Sequence, residues 1–117
     1  MIAHVVLFEP KATITDAERD AFLDAMKAAF REIPSVCRSL VAKRRLIGAG
    51  YEAKIGDQTY SYVSSVEFTD INGLKEYLDH PLHHRLGQLF WQCCDRTLIV
   101  DADVFWLDAK EVDNSRP

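Results

Sequence analysis

The stretch IAHVVLFE, residues 2–9, decides the fold of this chain. Successive side chains of a β-strand point to opposite faces, so this segment presents isoleucine, histidine, valine and phenylalanine on one face. Alanine, valine and leucine lie on the other face. Because both faces are largely apolar, we predict a strand that is covered on both sides.

Two helical regions follow from local signals outside this strand. Thr15 and Glu18 have the spacing of a capping box, which predicts a helix that ends before Pro34. Asp70 has the chemistry of an N-cap for a second helical region. Pro81 interrupts that region and, as a first-turn residue, can open a further helix.

Three more strands are predicted over 36–48, 59–69 and 97–107, with a polar connection over 48–57. The order strand–helix–strand–strand–helix–strand predicts an α+β fold of the ferredoxin-like βαββαβ type. Such a protomer has a four-stranded antiparallel sheet with helices on one face. The other apolar face needs a cover, and a second copy of the same sheet is the simplest one. We therefore predict a homodimer that pairs through its sheet faces.

The composition fits one acidic globular domain. The chain has 117 residues, which we divide into a domain over 1–108 and a polar C-terminal tail over 109–117. The formal net charge is −4, which argues against nucleic acid and anionic membrane as partners because both attract basic surfaces. The basic run 43–45 is short. We interpret it first as a solvated or ion-pairing strand end and second as an anion contact.

The sequence also predicts where the protein resides. No apolar run reaches the roughly 20 residues that span a bilayer, and the N-terminus lacks the features of a signal peptide. The cysteines, Cys37, Cys93 and Cys94, show no C-x-x-C spacing, which favours buried thiols over disulfides or a zinc site. We predict a cytoplasmic protein without a cofactor.

The segment YLDHPLH, residues 77–83, is the chemically suggestive part of the chain. Histidine transfers protons near neutral pH, and a tyrosine hydroxyl can donate a hydrogen bond to a carbonyl oxygen. The proline break changes the direction of the chain and can bring Tyr77 and His83 towards one cavity between helix and sheet. His4, on the first strand, can line the same cavity.

Each of these residues also has a structural interpretation. Tyr77 and His83 are equally well explained as core groups with satisfied hydrogen bonds. His4, within an apolar strand, also fits a hydrogen-bonded core residue. His80 precedes a proline and is best explained by a ring that binds a backbone group at the break. His84 is best explained as a surface residue.

Two other polar pairs carry weaker signals. His80 and His84 have the helical spacing of a metal-binding pair, but Pro81 disturbs that geometry and no third ligand is evident. Asp101 and Asp103 share one face of the last strand, where we expect contacts with solvent or a dimer interface rather than catalysis. We therefore predict His80 and Pro81 as structural residues and no metal site.

Five stretches together resemble the stress-responsive A/B barrel (Dabb) domain family. They are MIAHVVLF at 1–8, IPSV at 33–36, YVSSVEF at 62–68, YLDHPLH at 77–83 and VD at 100–101. The H-P-x-H segment combined with the N-terminal H-x-V-x-F pattern is fairly specific, whereas either alone is weak. The resemblance covers residues 1–107, nearly the whole chain.

The resemblance implies a ferredoxin-like protomer whose sheets pair into a dimeric α/β barrel. One branch of the family closes a linear polyketide by aldol condensation without a cofactor, using a tyrosine and a histidine of the Y-x-x-H-P-x-H segment. The match implies Tyr77 and His83 as catalytic residues and His4 as a substrate-binding residue. Where that branch has a third-strand histidine, this chain has Tyr62, which we take as a second substrate-binding residue. Some members also bind magnesium near the loop after the first helix.

Two functions stay open at this point. The first is a cofactor-free cyclase or lyase that acts on a small carbonyl compound, partly aromatic or polyketide-like, with His83 as base and Tyr77 as hydrogen-bond donor. The second is a non-catalytic, stress-related or ligand-binding homodimer with the same cavity. A heme-dependent or oxygen-using enzyme is supported by analogy of fold alone.

Overall fold

We describe a computed structural model that covers residues 1–56 and 59–107. The predicted boundary after residue 108, the tail over 109–117 and Asp57 of the polar connection lie outside the described residues. The elements are, in chain order, β1 (Ile2–Pro10), α1 (Asp16–Glu32), β2 (Arg38–Lys43), α2 (Tyr51–Ile55), β3 (Tyr62–Phe68), α3 (Ile71–Asp79), α4 (Pro81–Cys93) and β4 (Cys94–Asp103).

The four strands form one antiparallel sheet in the order β2-β3-β1-β4. β1 is an inner strand and pairs with both β3 and β4. This is the ferredoxin-like arrangement, so the predicted fold class is confirmed. Within the described residues, no helix is both long and apolar enough to cross a membrane.

The two faces of the sheet have different surroundings. Val6 and Phe8 of β1 point into the core, where they pack against buried side chains of the helices. Those helical side chains are Phe22, Ala25, Met26 and Ala29 of α1, Leu74 and Tyr77 of α3, and Leu86 and Cys93 of α4. On the opposite face, Leu40 and Val100 are exposed and Val5 is half-buried. Among the described residues, the second face of the sheet is therefore only partly covered: Ala3 of β1 is buried, whereas the side chains beside Val5 on the outer strands are exposed.

Capping side chains fix the starts of α1, α3 and α4. The Thr15 hydroxyl accepts from the Glu18 amide and the Glu18 carboxylate accepts from the Thr15 amide, so the predicted capping box begins α1. Asp70 accepts from the Gly73 amide and begins α3, also as predicted. His80 caps α4 with Pro81 in its first turn.

The outer strands differ from their predicted bounds. β2 covers 38–43 instead of 36–48, because it is an edge strand whose last partner is Tyr62, the first residue of β3. β3 itself covers 62–68 instead of 59–69.

The last strand begins earlier and ends earlier than the predicted 97–107. β4 starts at Cys94, which pairs with Pro10 of β1, and it ends at Asp103, opposite Ile2. Cys94 therefore lies in β4 and directly follows α4, which ends at Cys93. Cys93 and Cys94 are buried free thiols, as predicted, whereas Cys37 is exposed, so the prediction of a buried thiol is wrong there.

The connection before β3 contains a short helix that the sequence did not indicate. α2 has five residues, and the Glu52 carboxylate accepts from the amides of Ile47 and Gly48. The sequence predicts only a polar connection for this segment, because glycines at 48, 50 and 56 are typical of loops and a helix this short leaves no periodic pattern to detect.

The capping box makes a stability prediction. Thr15→Ala removes the acceptor for the Glu18 amide and should lower the free energy of unfolding by about 1 kcal/mol, measured by urea denaturation. Thr13→Ala is the matched control, because Thr13 is exposed and lies outside the capping box. Equal losses in the two variants would contradict a specific role for the cap.

Candidate active site

A cavity of about 130 Å³ lies between the helices and the sheet, over β1 and the adjoining parts of β3 and β4. His4, Tyr77 and His83 all line it, so the structure brings together the three residues that the sequence placed at one site. Trp91 and Ile99 also line the cavity and are exposed, which locates its opening at the surface. The rest of the lining is mainly apolar.

Tyr77 lies in α3 at the centre of the cluster. Its side chain is 2% exposed, and its ring centroid is 4.7 Å from that of His83 and 6.0 Å from that of His4. The Phe68 ring, 5.2 Å away, supports it from β3. Burial raises the pKa of the Tyr77 phenol well above its usual value of 10. The phenol therefore stays protonated at neutral pH and can donate a hydrogen bond.

His83 lies in the first turn of α4, held in one orientation by the backbone. Its Nδ1 donates to the Leu78 carbonyl oxygen at 3.2 Å. Because a carbonyl only accepts, Nδ1 carries the proton and Nε2 of the neutral ring has the free electron pair. Burial, and next the charge of His4, lower the pKa of His83 below 6.5. His83 is therefore a neutral base at pH 7.

His4 has a carboxylate partner that the sequence analysis did not assign. Its Nδ1 lies 2.5 Å from Oδ1 of Asp101, the residue directly opposite it on β4. The His4 side chain is buried, whereas that of Asp101 is 47% exposed. Asp101 thus orients His4 instead of meeting only solvent or an interface. The pair is evident only from the register of β1 against β4, and no sequence pattern specifies that register.

The other two histidines lie outside this cluster. Nδ1 of His80 accepts from the Leu82 amide at 3.1 Å, which is a helix cap and a contact of the predicted structural kind. Pro81 occupies the first turn of α4. His84 is exposed. In the described part of the chain, no group of three or more His, Cys, Asp or Glu side chains could hold a metal ion.

Tyr62, the second predicted substrate-binding residue, is not among the residues that line this cavity. Its ring stacks on that of Phe8, with centroids 5.5 Å apart, and it lines a separate groove near α1. Its contact with a substrate stays a prediction. Sequence reasoning missed Ser64, which is buried, lies opposite Val6 and lines the cavity.

Comparison with known sequences identifies the family. The sequence model of the Stress responsive A/B Barrel Domain (Dabb) family matches residues 2–104. The chain belongs to this family, as its motifs predicted. It is also similar to olivetolic acid cyclase from Cannabis sativa, with 22% identity over 100 residues that cover 86% of this chain and 93% of the cyclase.

Solved structures with the same fold include two informative neighbours. A dimeric ferredoxin-like protein of unknown function from Thermobifida fusca has a TM-score of 0.69 at 18% identity, and the match covers 88% of this chain and 90% of that one. Hydroxynitrile lyase from Passiflora edulis has a TM-score of 0.73 at 9% identity, with 92% and 96% covered. At these identities the likeness establishes the fold and not a reaction.

The proximity of His4 to His83 predicts how the pKa of His83 responds to substitution. His4→Gln removes a side chain whose charge, in its protonated form, lowers the pKa of His83, so that pKa should rise while burial still holds it below 6.5. The imidazole NMR resonances of His83, followed against pH, measure this pKa in the wild type and in the variant. His84→Gln is the control and should shift the pKa of His83 less, because the His84 charge is the smaller influence. A wild-type pKa above 6.5 would refute the assignment of His83 as a neutral base.

Proposed function

We propose that this protein is a cofactor-independent acid/base catalyst of the cyclase or lyase type that acts on a small carbonyl compound. The observation that carries the proposal is the pairing of Tyr77 and His83 at one largely apolar cavity. One supplies a protonated donor and the other an unprotonated nitrogen, and burial favours both states.

The proposed reaction begins with a proton transfer. Nε2 of His83 removes a proton from the carbon next to the substrate carbonyl, and the C–H electron pair forms an enolate. The Tyr77 hydroxyl donates a hydrogen bond to the enolate oxygen, a contact worth roughly 3 kcal/mol of barrier. The enolate carbon then attacks a second carbonyl of the same molecule. The protonated His83 returns its proton to the new alkoxide, which leaves the enzyme unchanged.

His4 and Asp101 support the same cavity. The Asp101 carboxylate accepts from Nδ1 of His4, so Nε2 of a neutral His4 ring is left as an acceptor. A substrate hydroxyl or enol can donate to that nitrogen, which is the substrate-binding role we propose for His4. Asp101 acts through His4 and is a positioning residue.

The names of two similar proteins support this class of chemistry. One is a cyclase and the other a hydroxynitrile lyase. The catalytic roles of Tyr77 and His83 also follow from the resemblance of the Y-x-x-H-P-x-H segment to that of polyketide-cyclising family members. We propose a partly aromatic or polyketide-like carbonyl compound as the substrate class.

A second candidate is a non-catalytic, stress-related or ligand-binding homodimer. The size of the cavity favours it, because sites for small molecules usually measure about 300–1,000 Å³. The cavity around Tyr77 measures about 130 Å³. Catalysis therefore requires a small substrate or an opening of the cavity near Trp91.

We propose a homodimer that buries the open face of the sheet and closes a dimeric α/β barrel. Leu40 and Val100 are exposed on that face, and a second sheet would remove this apolar surface from water. The Thermobifida fusca neighbour is described as dimeric. A cytoplasmic location stays a prediction from composition.

Catalysis is tested with conservative variants. In D₂O, we expect the wild type to exchange the α-protons of phenylacetone or a short polyketide mimic, followed by NMR. Tyr77→Phe keeps the ring and should slow exchange by about 100-fold or more. His83→Gln should slow it by about 100-fold or more. The wild-type rate should fall as pH decreases through the lowered pKa of His83, because the base becomes protonated.

His84→Gln is the control for these variants, because it replaces an exposed histidine one residue further along α4. It should exchange protons at the wild-type rate. If Tyr77→Phe and His83→Gln also match the wild type, the proposed mechanism is wrong. If the wild type exchanges the α-protons of neither phenylacetone nor the polyketide mimic, the non-catalytic homodimer is favoured.

The dimer is tested with a matched pair of substitutions. Val100 and Val41 are each 44% exposed but lie on opposite faces of the sheet. Val100→Asp should shift the protein towards monomer, because it places a charge in the proposed interface. Val41→Asp should leave the mass unchanged in light scattering. A wild-type monomer at micromolar concentration would refute the proposal.

A further inference from the structure

A second and larger hollow lies on the helix side of the sheet, at the β2 side of β1. This groove runs between α1 and the ends of β2 and β3 and measures about 470 Å³. Its lining is mostly apolar and includes Ile14, Phe22, Leu23, Met26, Val41 and Tyr62. Leu23 and Val41 are exposed, so a ligand could remove apolar surface from water there.

The groove is separate from the catalytic cavity. Phe8 and Met26 line both hollows and form the wall between them. The Phe8 ring meets Phe22 and Phe90 edge-on, with centroids 5.9 and 5.7 Å away, and this packing holds the wall in place. A ligand in the groove therefore need not touch Tyr77 or His83.

Lys43 and Arg19 are the cations that line the groove. Arg19 pairs with the exposed Asp16, whereas Lys43 makes no ion pair among the described residues. Glu9 is the acidic residue in the lining, and its carboxylate accepts from the Ser61 amide. One unpaired cation at the end of β2 thus borders an apolar groove.

We propose that this groove binds an amphipathic monocarboxylate, such as a medium-chain fatty acid. The acyl chain lies among the apolar side chains of α1 and β2, and the carboxylate pairs with Lys43. The volume of the groove falls within the range of about 300–1,000 Å³ that is typical of small-molecule sites. The first residue of the basic run 43–45 then has a role as an anion contact. The site is independent of the proposed catalysis.

Charge complementarity is tested with octanoate and octan-1-ol as probes, below their aggregation limits, by isothermal titration calorimetry. Lys43→Glu should weaken octanoate binding by about fivefold or more, since an exposed ion pair contributes up to about 1 kcal/mol and reversal adds repulsion. Octan-1-ol should bind both proteins equally. Arg45→Glu makes the same charge change outside the groove lining and should weaken octanoate less than twofold.

The location of the octanoate site is tested by substitutions that fill each hollow in turn. Val41→Trp fills the groove and should abolish octanoate binding, whereas Ile99→Trp fills the opening of the catalytic cavity and should preserve it. NMR methyl resonances of Leu23 and Val41 should shift with octanoate, and those of Leu86 should not.

Three results would overturn the proposal. One is no octanoate binding to the wild type, and another is equal weakening by Lys43→Glu and Arg45→Glu. The third is loss of binding in Ile99→Trp instead of Val41→Trp, which would place the ligand in the catalytic cavity. None of them bears on α-proton exchange, so a failure here leaves the proposed catalysis in place.

Discussion

The structure depends on one constraint, which is that β1 is an inner strand with apolar side chains on both faces. Its even-numbered residues pack against the helices and form the centre of the core, with His4 as the polar member of that row. Ala3, Val5 and Leu7 lie on the face away from the helices. The same strand thus supplies the core, the cavity wall and the face that we propose to be covered by a second chain.

The chemistry of the cluster arises from burial and from one break in the chain. The turn between α3 and α4, capped by His80 and opened by Pro81, directs two consecutive helices so that Tyr77 and His83 meet. Burial then acts with opposite sign on the two pKa values, because it disfavours the phenolate and the imidazolium alike. Both groups are neutral at pH 7, one as a donor and the other as a base.

Much of the fold follows from short-range signals, and the errors show where such signals end. Capping residues begin α1 and α3 where the sequence predicts, because a cap involves residues only three positions apart. Strand bounds were less accurate, because β2 and β4 end where their partners end. The pairing of His4 with Asp101 joins residues 97 positions apart and depends on register.

By itself the sequence determined the order of the four strands and the long helices, the two-sided character of β1 and the candidates Tyr77, His83 and His4, because periodicity and residue chemistry are local properties. Only the tertiary structure decided which of these groups share a cavity, that Tyr62 lies beyond Phe8 in another hollow, and that Asp101 serves His4. The reason is physical: burial, protonation and cross-strand contacts depend on packing between distant segments, which a sequence pattern does not specify.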